Sequence, residues 1–127
     1  MEKINFTTAV LGAKATARLR EHQVTQTIRS ATSSIVLAVN DGRLTSGDMI
    51  QVTLDDEFVG YARFTGMEKM SWGRLTLEDA RLGGFDNRFE LAYALKRAGY
   101  RFKPLDEYPL YRCHFTWSNI SNLERDI

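Results

Sequence analysis

The sequence predicts an α+β fold: a small mixed β-barrel or curved sheet flanked by helices. Three observations predict it. Segments whose apolar residues recur at helical spacing are interleaved with segments that alternate at strand spacing. Two strand-like runs, 49–54 and 58–67, are separated only by "DDE", which adds antiparallel pairing. The length of 127 residues suits a single domain, 1–127, large enough to bury a core without staples.

Each element has its own justification. "INFTT" (4–8) can form a first strand. "AVLGAKATARLREH" (9–22) reads as a helix, because Leu11, Ala15 and Leu19 make one apolar stripe. Lys14, Arg18 and His22 share the same spacing on a neighbouring stripe. "VTQTIR" (24–29) reads as a strand, with Val24, Gln26 and Ile28 on one side and Thr25, Thr27 and Arg29 on the other. "SSIVLAV" (33–39) suits either a short helix or a strand. "LTSGD" (44–48) is a turn, with Gly47 free to take positive φ. "TLEDARL" (76–82) sets Asp79 three residues after Thr76, a reciprocal capping pattern. "NRFELAYALKRAG" (87–99) is the clearest helix: Asn87 and Glu90 cap its start, Gly99 stops it, and Leu91, Ala94, Leu95 and Ala98 form its packing face. "PLYRCHFTW" (109–117) is a strand with Tyr111, Cys113, Phe115 and Trp117 on one face and Arg112, His114 and Thr116 on the other.

Composition narrows the function classes. At 43% hydrophobic and 26% charged, the chain is globular in type. A net charge of +1 means that any electrostatic site must arise from local clustering. Cys113 is the single cysteine, so no intramolecular disulfide forms, which fits a reducing compartment. The start, "MEKINFTTAV", lacks a signal-peptide core, and "IVLAV" (35–39) is too short to span a bilayer. A soluble cytoplasmic protein is the expectation. Two histidines and one cysteine without close ligand spacing predict no zinc site. "LGGF" (82–85) lacks the lysine and preceding strand of a phosphate loop, and no cofactor is expected.

Several segments resemble the ASCH family of the PUA-like superfamily. They are "TQTIR" (25–29), "LTSGDMIQV" (44–52), the following strand with Gly60, "LTLEDARLGGF" (75–85), "ELAYAL" (90–95) and "YRCHFTW" (111–117), in the family's order. The resemblance implies a small β-barrel with helices at its side and a cleft beside the "TQTIR" strand. It also implies RNA or a modified nucleoside as the partner. ASCH proteins that act as N4-acetylcytidine amidohydrolases use a lysine, a threonine and a glutamate. By this resemblance Thr27 holds the threonine position, Val24 stands at the lysine position, and the glutamate would fall near Gly83 or Gly84. The expectation is a binding domain rather than an efficient amidohydrolase. Hydrolysis of RNA or of N4-acylated cytidine is the alternative, and a protein-interaction module the second.

The expected cleft has Thr25, Thr27 and Arg29 as its floor: two hydroxyls and a planar five-donor fork that suit a phosphate or a base edge. Gln23 and the basic stripe of Lys14, Arg18 and His22 form its rim, where cations would attract phosphates. Trp72, beside Gly73, is the aromatic best placed to stack on a base. The simpler alternatives are a solvated strand face, an ordinary solvated helix face, and an Arg29 paired with a carboxylate such as Asp48. Cys113 is expected in the core, away from His114, because adjacent strand residues point oppositely. Glu78 and Asp79 are read as helix-capping residues rather than a catalytic pair.

Overall fold

The computed structural model describes residues 1–100 and 109–118. In chain order these form β1 (Lys3–Phe6), α1 (Thr8–Arg20), β2 (Gln26–Ser30), α2 (Ser34–Asn40), β3 (Met49–Leu54), β4 (Glu57–Met70), a 3-10 turn (Trp72–Arg74), α3 (Leu77–Leu82), α4 (Arg88–Arg97) and β5 (Leu110–Trp117). The strands make one sheet in the order β1-β3-β4-β5-β2. β1 pairs with β3 in parallel, and every other neighbouring pair is antiparallel. The result is the expected α+β architecture, a curled half-barrel with four helices.

Local chemistry shapes the sheet. The β3–β4 connection is a two-residue turn in which Asp55 (φ 49) and Asp56 (φ 66) are both left-handed, the twist that a tight hairpin needs. The Asp55 carboxylate also accepts the Thr8 amide and hydroxyl, which anchors the start of α1. Register shifts at Val52/Thr53 and at Phe64/Gly66 insert irregularities that bend β4 between its neighbours. The bend carries Phe64 of β4 and Phe115 of β5 into the core beside Ile4, Leu19, Ile50 and Leu110, all essentially inaccessible. Burying each such side chain contributes about 1.5–3 kcal/mol.

The helices follow their sequence signals, with four departures. Leu11, Ala15 and Leu19 are the buried stripe of α1, but Gly12 (φ 78, ψ 174) breaks the helix early. The helix also stops at Arg20. The Gln23 amide bonds to the Arg18 carbonyl and the His22 amide to that of Leu19, a Schellman stop that puts His22 at φ 61. The segment open to two readings, 33–39, forms the helix α2. Thr76 and Asp79 make the reciprocal capping box of α3. At α4 only one arm of the box forms: Asn87 accepts the Glu90 amide, while the Glu90 carboxylate takes the Asp86 amide. Gly99 (φ 91) ends α4 as expected. Leu91, Ala94 and Leu95 are buried, whereas Ala98, the C-cap residue, is exposed. Among the described residues, no helix is long and apolar enough to cross a membrane.

Candidate functional site

β1 and β2 are the two edges of the half-barrel, and they do not pair with each other. In a parallel ladder, alternate residues bond to the neighbour. The Glu2 and Phe6 carbonyls bond toward β3, so the Asn5 main chain faces the open seam. Arg29 spans this seam. Its Nη2 donates to the Asn5 carbonyl at 2.8 Å, and its Nε donates to Thr27 Oγ1 at 2.8 Å. The guanidinium carbon lies 5.0 Å from the centroid of the Phe6 ring, a cation–π contact.

A cavity of about 420 Å³ occupies the seam. Thr27 and Arg29 form its polar wall with Asn5, Ser33 and Ser34, while Phe6, Phe85 and the α4 residues Leu91 and Leu95 form its apolar wall. Among the described residues no carboxylate pairs with Arg29, and Nη1 has no hydrogen-bond partner. Burial pushes the guanidinium pKa down, the signature of a cation withdrawn from water. Asp48, named above as an alternative partner for Arg29, instead accepts the amide and hydroxyl of Thr45.

Beside Thr27, on the same face of the sheet, lies Cys113, its antiparallel partner in β5. Burial raises the Cys113 thiol to about 12, so it is an inert core residue. Gln26 of β2 and Asp79 of α3, which also line the cavity, belong to a satisfied cluster with Arg112. Arg112 grips Asp79 through Nε and Nη2 at 2.7 and 2.9 Å, and Gln26 donates to the same carboxylate at 2.9 Å. Desolvation alone would raise the Asp79 pKa. Hydrogen bonds from Arg112, Gln26 and the Thr76 amide outweigh it and hold the carboxyl at about 2.

Of the expected site residues, only Thr27 and Arg29 reach the cavity. Thr25 is tied by its main chain, donating to Leu82 and accepting from Phe115. Gln23 is exposed and donates to Glu21. The basic rim is already neutralised: Lys14 pairs with Asp86 and Glu90, and Arg18 pairs with Asp86 while donating to the Gly84 carbonyl. The bonds from Lys14 lower the pKa of Asp86 and Glu90, and theirs raise that of Lys14. His22 stacks on Trp117 at 3.9 Å rather than facing a cleft. Trp72 is 6% exposed, packed in the core by the 3-10 turn, and offers no surface ring. Conversely, the Asn5 carbonyl belongs to the site, but a main-chain acceptor at a sheet edge has no side-chain signature in sequence.

The positions singled out by resemblance meet in space. Val24 is fully buried, and a Cβ added at Gly84 would lie 2.9 Å from Val24 Cγ2. Where the resemblance implies a lysine and a nearby glutamate, this chain has a close apolar contact.

No family model and no curated protein sequence matches the chain. Solved structures do. An ASCH domain from Lactobacillus crispatus JV V101 superposes with a TM-score of 0.59 at 12% identity, covering 89% of this chain and 79% of that one. This is an ASCH-like fold. A DUF984 protein from Enterococcus faecalis V583 shares it, with a TM-score of 0.61 at 14% identity over 92% of this chain and 80% of the other. The ASCH-like fold agrees with the order of segments on which the resemblance rested. Here its "TQTIR" strand is the sheet edge beside the seam cavity.

Proposed function

We propose that the seam cavity binds a nucleoside, free or as a unit of RNA. The supporting observation is Arg29, a half-buried cation without a carboxylate partner among the described residues, held at a cavity wall by Thr27 and Asn5. A buried charge is costly unless compensated. A ligand carbonyl or phosphate oxygen taking Nη1 would compensate it, while Phe6 and Phe85 offer apolar surface to a ring. The volume, about 420 Å³, lies within the usual range of small-molecule sites, roughly 300–1,000 Å³. The ASCH-like fold adds to this reading through the partner that the resemblance implies. Because Lys14 and Arg18 are already paired, a single nucleotide unit suits the site better than a long phosphate backbone.

Calorimetric titration of the protein with common nucleosides and a short single-stranded RNA tests this. Saturable binding is expected, weakened roughly tenfold or more by Arg29→Ala, partly restored by Arg29→Lys, and unchanged by Lys14→Ala. The near-isosteric Thr27→Val should also weaken it. A shallow salt dependence is expected, since few phosphates would be neutralised. Absence of binding, or binding indifferent to Arg29 and Thr27, would overturn the reading.

A further inference from the structure

We infer that the open main-chain edge of β2 reads the hydrogen-bonding edge of the base, with Ile28 as the reading residue. The inference rests on the nucleoside reading above and adds the chemical feature recognised. The Phe115 amide bonds to the Thr25 carbonyl, and the register pairs Thr27 with Cys113 and Arg29 with Tyr111. In an antiparallel ladder, hydrogen-bonded and non-bonded pairs alternate. Thr25, Thr27 and Arg29 therefore turn their main chains toward β5, and Gln26, Ile28 and Ser30 turn theirs outward. Ser30 confirms the phase, because its outward carbonyl accepts the Ser33 amide and hydroxyl.

Ile28 has no such partner among the described residues. Its N–H and C=O point to the seam, it lines the cavity, and the residue is only 6% exposed. A buried, unpaired main-chain donor and acceptor call for a partner. An extended residue presents these two groups side by side. Their complement is a planar ring with a donor and an acceptor on two atoms bonded to the same ring carbon, as every common nucleobase carries. Arg29 Nη1, one residue along, would then take a further acceptor on the same ligand. A peptide added to the edge would also satisfy Ile28. However, the groups open into a cavity of about 420 Å³ walled by α4, which suits a ring rather than a strand.

The experiment follows the ¹⁵N-labelled protein by NMR during titration with cytidine, uridine, inosine and adenosine. Each is paired with an analogue methylated at the edge: N4,N4-dimethylcytidine, 3-methyluridine, 1-methylinosine and N6,N6-dimethyladenosine. For whichever nucleoside binds, edge methylation should weaken binding roughly tenfold or more, because it removes the donor and blocks the approach. The Ile28 amide proton should shift downfield and exchange more slowly. Binding that needs Arg29 but tolerates edge methylation, or leaves the Ile28 amide unmoved, would overturn this inference and leave the nucleoside reading standing. Failure of all four nucleosides and of the short single-stranded RNA to bind would overturn both.

Discussion

Thr27 illustrates how a residue can keep a position and lose its chemistry. Its hydroxyl oxygen accepts from Arg29 Nε, and a guanidinium cannot take a proton away. Val24 and Gly84, packed together, supply no proton-transfer group either. Each such group is typically worth roughly 10²–10⁴-fold in rate, so the chain is expected to be an inefficient N4-acetylcytidine amidohydrolase. Incubation with N4-acetylcytidine and chromatographic separation of cytidine checks this; rapid turnover abolished by Thr27→Ala would reverse the conclusion. Asp79 gives a second prediction at this scale. Its folded pKa, about 2, is below its unfolded value, so the unfolded chain takes up the proton first as pH falls. Stability contributed by Asp79 is complete above about pH 4 and lost toward about pH 2. Denaturant titrations should show that this acid-sensitive part vanishes in Asp79→Asn. At neutral pH that variant should be less stable by about 2–4 kcal/mol, because Arg112 keeps its charge without its main counter-ion.

Among the elements, the end of α1 carries an unusual residue. A Schellman stop ordinarily uses glycine, and here His22 takes the left-handed conformation and lays its ring flat on Trp117. The ring contact offsets the backbone strain. His22→Ala, which keeps the strain and loses the stack, should destabilise by about 1–2 kcal/mol, whereas His22→Gly should cost less because it relieves the backbone. Thermal unfolding of both variants separates the two contributions; an alanine variant as stable as the glycine one would show that φ carries no strain here. The elements themselves were readable from the chain. The Leu11–Ala15–Leu19 stripe, the Thr76–Asp79 box and the Gly99 stop are local signals written within a few residues. The break at Gly12 was not readable, because a glycine inside a helical pattern is compatible with either a continuous helix or a bend.

At the level of the whole molecule, the curled sheet follows from interleaved helical and strand periodicities, and so it was legible. The site was legible only along one strand face. Alternation alone groups Thr25 with Thr27 and Arg29, but Thr25 lies just before β2 begins and outside the cavity wall. The basic stripe of α1 looked free because its counter-ions, Asp86 and Glu90, are about seventy residues away in sequence. Trp72 looked exposed because its neighbours are turn residues, yet the turn folds back on the core. Such pairings are tertiary facts with no local trace.

The seam also bears on how this protein keeps from sticking to itself. Unpaired strand edges invite pairing with another chain. Here both edges of the sheet face one another across the cavity, so the groups that would seed aggregation are turned inward and latched by a single arginine side chain. The space that makes a pocket is thus the same space that denies a neighbouring molecule its template.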